Sequence, residues 1–369
     1  MTQEIFTKPG VCLQTYPDSS PPPIGPDAPW LAPLAGFSDL PFRLLCREQG
    51  AAVACTEMVS AKGLIYGLRQ KSCPISGSMN GPINGTEELL ITVPEDTPLV
   101  VQLFGEDAAF VAAAVEELQG RGFRYFDLNM GCSVPKVTKT GAGAALLKDP
   151  ERAEAVASAF LEKAGPGRAG CKIRLGWDNR WPVYLDLARR LADAGAAWIT
   201  LHPRYARQGF SGKADVKALE LLARAVDIPV MASGDLFSAE DAVARLETGI
   251  RGVMFARGAM NNPAIFRRYL ALRRAEELPE ALPAHELHAL IARHAELARA
   301  LTPGRPGKSG CAPALLKMRT VVPRYVRHLP GIRHLRQALT HCGDWDELDR
   351  ILQQYFSGFP SEYAAQNEE

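Results

Sequence analysis

A lysine inside an apolar run invites a chemical reading. Lys172 stands between Cys171 and Ile173 in CKIRLG, a segment that otherwise has the composition of a buried strand. An ammonium removed from water is costly without an anionic partner. Cys132 lies in DLNMGCSVPK, beyond Gly131 and off the apolar run that precedes it. A buried cysteine is usually a small hydrophobe, but a thiol at the mouth of a cofactor-bearing site can act as nucleophile or proton donor. Cys55 and Cys171 fall inside strand patterns and Cys46 on a helix, so they read as structural. Other chemistry-bearing residues recur where apolar runs end: Pro33, Leu34 and Ala35; Glu57; Gln102; Asn129; Arg174; His202; Ser233, Gly234 and Asp235; Ala256, Arg257 and Gly258.

The elements that must position them are a repeated strand and helix. Eight short apolar runs are spaced along the chain: WLAPLAG (30–36), AVACTEM (52–58), LVVQLFG (99–105), YFDLNMG (125–131), CKIRLG (171–176), WITLHP (198–203), PVMASGD (229–235) and GVMFARG (252–258). Segments of helical period such as PERAEAVASAFLEKAG and SAEDAVARLETG separate them, several ending in Gly, where a helix stops readily. Continuous rather than alternating apolarity marks parallel strands buried on both faces. This count and length predict an α/β fold, a (β/α)8 TIM barrel, followed by a small C-terminal α-helical domain. In such barrels ligands sit at the C-terminal strand ends, where all of the residues above fall. A reduced flavin, anionic at N1, is a suitable partner for Lys172. The Gly-rich turns after the last two strands suit a phosphate, with Arg257 beside it.

Residues 1–29 are rich in Pro and Gly and are expected to form an extended leader. The barrel is placed at 30–275, the helical domain at 280–360 and a frayed tail at 361–369. The segment SAKGLIYGLRQKSCPISGSMNG after the second run is expected to form an extra helix and turns. A net charge of +1 over 369 residues argues against a uniformly basic coat but leaves room for a local one. The eight cysteines show no C-x-x-C pair and no zinc spacing, so reduced thiols, no metal and a cytoplasmic location are expected. There is no secretory signal pattern at the N-terminus and no run long enough for a membrane helix. A monomer is expected.

The blocks APLAGFSDLPFR, TEMVSAKGL, VQLFG, DLNMGCSVPKVTKTGAGAALLKDP, CKIRLGWD, TLHPR, ASGD and ARGAMNNPAIF stand in the order and register of the tRNA-dihydrouridine synthases. The resemblance covers the barrel and extends weakly through MRTVVPRYVRHLPGIRHLRQAL. It implies reduction of the C5–C6 bond of uridines in tRNA, with FMN as cofactor and NADPH as electron source. It further implies hydride transfer from flavin N5 to C6 and a proton from Cys132 to C5. Pro33 to Ala35, Gln102, Lys172, His202, Ser233 to Asp235, Ala256 and Arg257 would hold FMN; Asn129 and Lys139 would hold the pyrimidine and its surroundings. The chain departs from the family pattern at Ser133, usually Pro, at Ser233, usually Asn, and at Ala256, usually Gly; Ala256 requires a negative φ.

Between Glu296 and Asp344 no acidic residue occurs, while Arg299, Arg305, Lys308, Lys317, Arg319, Arg324, Arg327, Arg333 and Arg336 do, with Tyr325 among them. A single-sign run of this length reads as a phosphate-binding face, although a charged run can also be a solvated helix face. Lys136, Lys139, Arg204 and Arg207 would extend that face across the barrel mouth, and Arg174 would join it at the substrate. Two other functions remain open: a flavin-dependent reductase of a free small molecule, of dihydroorotate or enoate type, and a non-catalytic RNA-binding barrel.

Overall fold

The computed structural model describes residues 20–71, 85–278, 281–302, 311–360 and 363. The described residues form nine parallel strands, of which all but β3 close into an eight-stranded barrel: β1 (Trp30–Leu31), β2 (Val53–Cys55), β3 (Val59–Ser60), β4 (Leu99–Phe104), β5 (Tyr125–Met130), β6 (Ala169–Arg174), β7 (Ile199–His202), β8 (Val230–Ser233) and β9 (Gly252–Phe255). β1 bridges β2 and β9, and β2 also pairs with β4, which closes the ring. The architecture is the expected TIM barrel, with one refinement. The run 52–58 supplies β2 and is followed at once by a second short strand, β3, and the two pair with β4 in succession. Between them the Gln102 N–H donates to the side-chain Oγ1 of Thr56 at 3.1 Å, so a hydroxyl takes the place of a ladder carbonyl.

Local chemistry sets the outer helices. Asp149 caps Pro150–Ala164, Pro150 opens it and Gly165 at φ 86° ends it. Ser238 and Asp241 form a reciprocal capping box at Ala239–Leu246. The segment expected to add a helix after the second run supplies Ala61–Lys71; its remainder lies outside the described residues.

Inside the barrel the lower half is apolar. Trp30, Val53, Val100, Tyr125, Trp198, Met231 and Met254 fill it, with the Trp30 and Trp198 rings edge to face at 5.4 Å. Gly170 makes this possible: a Cβ there would stand 2.2 Å from Nε1 of Trp198. The part of the expected leader that is described, residues 20–29, is indeed without helix and seals the bottom of the barrel. Trp30 Nε1 donates to the Pro23 carbonyl at 2.8 Å and the Tyr125 hydroxyl to the Ser20 carbonyl at 3.1 Å.

Helices Ala284–Leu301, Pro313–Tyr325, Ile332–His341 and Trp345–Phe356 form the C-terminal region. The first packs on Leu40–Glu48 of the barrel through Phe42 and His294, and Arg293 reaches Glu48 at 2.7 Å. Of the expected frayed tail, Tyr363 is described and is docked: its carbonyl accepts the Ala284 N–H at 2.8 Å and its ring lies 5.2 Å from Phe359. The rest of that tail lies outside the described residues. No helix among the described residues is long and apolar enough to cross a membrane.

Candidate active site

A cavity of about 230 Å³ opens at the C-terminal strand ends. Pro33, Leu34 and Ala35 after β1, Asn129 and Cys132 at β5, Lys172 and Arg174 on β6, and His202 on β7 all line it. Ser233, Gly234 and Asp235 after β8 and Ala256 and Arg257 after β9 complete the convergence. Residues from six strand ends thus meet although they are spread over 225 positions of the chain, from 33 to 257. Gln102 does not line the cavity. It is fully buried one layer below, with Nε2 donating to Asp127 at 2.7 Å and Oε1 accepting from Asn129 at 2.8 Å. Both ends of its amide are engaged within the protein.

On the β4–β6 side the wall is an ordered amide network. Asn129 Oδ1 accepts the backbone N–H groups of Gly131 at 3.1 Å and Cys132 at 2.9 Å, while Nδ2 faces Gln102 and the Met58 sulfur. Asn129 thus holds the Cys132 loop through Oδ1, and Nδ2 ties it to Gln102 and Met58. Asp127 receives Gln102 on one oxygen and the Trp198 indole N–H, at 3.3 Å, on the other. Burial pushes the Asp127 carboxyl above the usual range, opposed by the Gln102 bond and the charge of Lys172. Lys172, paired in register with Asn129, has no hydrogen-bond or ion-pair partner among the described residues and points into the cavity. Burial holds its ammonium below the usual range, and Asp127 opposes that shift.

The β7–β9 side is a cationic wall. Arg204 is 2 % exposed and forms a two-pronged pair with Asp235, at 2.7 Å and 2.5 Å. Arg257 meets the same carboxylate at 3.0 Å. The guanidinium of Arg257 lies 4.4 Å from the ring centre of Phe210 and 4.8 Å from that of Phe237, both exposed at the rim. Arg174 bonds the carbonyls of Gly131, Tyr205 and Gly209, tying two rim loops together. Burial and the neighbouring Arg204 pull it down to about 10, which leaves it charged at neutral pH. His202 is driven far below its ordinary range by burial and then by Lys172 and the three arginines, so its imidazole is neutral. Gly234, at φ 96°, lies against that ring; a Cβ there would stand 2.4 Å from His202 Cδ2. Ala256 takes φ −122°, as its side chain demands.

A half-exposed thiol, Cys132, and the Lys172 ammonium thus border one cavity at the strand ends of a parallel barrel. A family model described as dihydrouridine synthase matches residues 30–358. The chain belongs to the dihydrouridine synthase family. It is 33% identical over 328 residues to a probable tRNA-dihydrouridine synthase 1 of Synechocystis, an alignment covering 88% of this chain and 85% of that one. It is 32% identical over 330 residues to tRNA-dihydrouridine synthase B of Pseudomonas aeruginosa, covering 89% and 92%. A probable tRNA-dihydrouridine synthase of Treponema pallidum is 37% identical over 249 residues, 65% of this chain and 69% of that one. Among solved structures, a variant of morphinone reductase with tetrahydroNAD is similar at TM-score 0.46 and 14% identity, over 70% of this chain and 89% of that one. As a member of its family the protein is an enzyme, a flavin-dependent oxidoreductase.

The remaining sequence expectations divide in this dihydrouridine synthase family member. Lys136, Lys139 and Arg207 are exposed near the mouth. Arg204 is not a surface cation: its charge is spent on Asp235 and on the carbonyls of Ser211 and Gly212. In the helical domain Lys317 pairs with Asp39 at 2.6 Å and with the Phe37 carbonyl. Arg319 bonds the carbonyls of Thr340 and Cys342, and Arg324 stacks over the Phe37 ring at 4.9 Å. These three face inward because a helix packed on the barrel must bury one side. Tyr325 is 1 % exposed and meets His294 Nδ1 at 3.0 Å, so it is core rather than surface. Arg299, Arg327, Arg333 and Arg336 remain exposed; Arg305 and Lys308 lie outside the described residues.

Sequence reasoning missed Asp127, Met58, Phe210 and Phe237. An aromatic shortly after a strand end, as in ARQGFSGK and SGDLFSAE, was a usable signal for the last two.

Proposed function

We propose that the protein is an FMN-dependent, NADPH-driven tRNA-dihydrouridine synthase in which Cys132 supplies a proton to C5 of the uridine. The observation that carries this reading is Lys172, a half-buried ammonium with no hydrogen-bond or ion-pair partner among the described residues, facing the same cavity as Cys132. The lining fits a flavin. Lys172 would offer a positive charge to an anionic ring nitrogen, and Pro33 to Ala35 would supply an apolar edge. Ser233 to Asp235 with Ala256 and Arg257 would hold the ribityl chain and phosphate. When bound and reduced, the flavin would provide the hydride for C6 of the pyrimidine.

The chain's own residues do the rest. Cys132 carries the proton on a loop fixed by Asn129. Lys172, Arg174 and Arg257 give the cavity a positive potential that attracts a phosphate-bearing substrate. A uridine stacked within tRNA cannot reach a barrel mouth, so it must be extruded to enter. Lys136, Lys139 and Arg207 at the rim and Arg327 on the helical domain would meet the flanking phosphates.

In the test, Cys132→Ala enzyme is purified and given tRNA that lacks dihydrouridine. It should be folded, yellow and reducible by NADPH, with dihydrouridine formation slowed by about 100-fold or more. Unchanged product formation would remove the proton-donor assignment. A reduced wild-type enzyme that turns over free uridine as well as tRNA would instead favour the small-molecule reductase.

A further inference from the structure

We propose that Asp127 is a positioning residue for Cys132, acting across the barrel floor through a hydrogen-bond chain that can run in one direction alone. The inference rests on the reading of Cys132 as proton donor and adds what sets its loop. At the upper end stand the backbone N–H groups of Gly131 and Cys132, which are donors and cannot change role. Asn129 must therefore offer them Oδ1, at 3.1 Å and 2.9 Å. Its Nδ2 is then turned to Gln102, whose Oε1 must accept, at 2.8 Å. That leaves Gln102 Nε2 aimed at Asp127 Oδ2, at 2.7 Å. Asp127 is an ionisable acceptor at the lower end, so the two ends fix the polarity of both amides between them. Neither amide can turn over alone without setting donor against donor. Asp127, Gln102 and Asn129 are 1 %, 0 % and 5 % exposed, so water offers no substitute partner. Asp127 and Gln102 do not border the cavity; the hydrogen-bond route from them to the Cys132 loop runs through Asn129, while the Asp127 charge also acts on Lys172.

Asp127 also accepts the Trp198 indole N–H on its other oxygen. This gives a variant that separates polarity from packing. Asp127→Asn keeps the shape but has one oxygen for two donors, Gln102 and Trp198. Either its Nδ2 opposes the indole, or Gln102 inverts and the mismatch travels through Asn129 to the Cys132 loop. Trp198→Phe removes the competing donor, so the double variant can again present oxygen to Gln102.

The experiment uses flavin-loaded wild type, Asp127→Asn, Trp198→Phe, the double variant and, as a break in mid-chain, Gln102→Leu. Reoxidation by saturating tRNA, reduction by NADPH and the KM for tRNA are measured per bound flavin. Alkylation of the Cys132 peptide by iodoacetamide is followed without tRNA by mass spectrometry. Asp127→Asn should slow reoxidation by about 10-fold or more, with NADPH reduction and KM within about threefold of wild type. It and Gln102→Leu should each change Cys132 alkylation by about fivefold or more, in the same sense. Trp198→Phe alone should stay within about threefold of wild type. The double variant should recover both readouts relative to Asp127→Asn although it has lost more core packing. Unchanged alkylation in Asp127→Asn, or a double variant no better than the single one, overturns the proposal. Should the wild type fail to reduce tRNA, the reading of function falls, while the alkylation arm still decides whether the chain sets the Cys132 loop.

Discussion

The barrel mouth and the helical domain both carry cations that a linear reading assigns to binding, and they treat them differently. At the mouth, Lys172, Arg174 and Arg257 reach the cavity as expected. In the helical domain Lys317, Arg319 and Arg324 turn inward, and Arg327 is left outside with Arg299, Arg333 and Arg336. The difference is geometric. A residue at the end of a parallel barrel strand has its direction fixed by the pleat and the closure of the ring. An uninterrupted basic run crosses several helices, each with an inner and an outer face, and the run does not say which face a residue takes. Arg204 shows that the mouth is not exempt: one residue beyond the strand-end Pro203, it is buried against Asp235.

The largest effect that would sharpen this comparison is at Arg204. Arg204→Ala leaves the Asp235 carboxylate with Arg257 as its remaining cation and should cost about 1.5–3 kcal/mol of stability. Denaturant unfolding of the flavin-free protein checks this; a loss below about 1 kcal/mol, the range of a surface ion pair, would return Arg204 to the rim.

Next comes the pair Arg324 and Arg327, three positions apart on the same segment. Arg324→Ala should lose about 1 kcal/mol of stability with its stacking on Phe37. Arg327→Glu should leave the melting curve within about 0.5 kcal/mol. It should weaken tRNA binding and lower the salt slope by about 1, as loss of one phosphate contact does. Equal effects of both substitutions on tRNA affinity would erase the distinction between inward and outward arginines.

The smallest effect concerns the buried histidines, one in each region. His294 is held neutral down to about 4 by burial, with Tyr325 on its Nδ1. An unfolded imidazole protonates near about 6.5, so between 6.5 and 4 the unfolded chain binds the extra proton. Stability therefore falls as the pH is lowered through that window. His294→Gln should remove about 1 kcal/mol of the loss between pH 7 and 5.5. Parallel melting curves for the two proteins at both pH values would contradict this. His202, whose value is pushed down by burial and four cations, adds a loss of the same sign.

Much of the site was legible because strand ends are legible. Short apolar runs that close on Gly or a polar residue identify both the strand and its functional end, which is how Lys172, Cys132, His202 and the turn at Ser233 to Asp235 were found. Gln102 was placed on the right strand, but its engagement with Asp127 and Asn129 could not be read, since the depth of a strand residue depends on register and tilt. Asp127 was passed over because it sits two residues before Asn129 inside the strand, where its carboxylate has no local marker. Tyr325 was read with its basic neighbours, but its ring belongs to the core beneath them.

By itself the sequence determined the strand–helix rhythm, the closed barrel that rhythm implies and the family to which its motif blocks point, because hydrophobic period and turn chemistry are local properties. Tertiary structure alone decided which cations meet a ligand and which bind their own fold, and how the amides beneath Cys132 are oriented. Those outcomes depend on partners brought in from distant segments, and burial lets a charge or an amide persist only where such a partner has arrived.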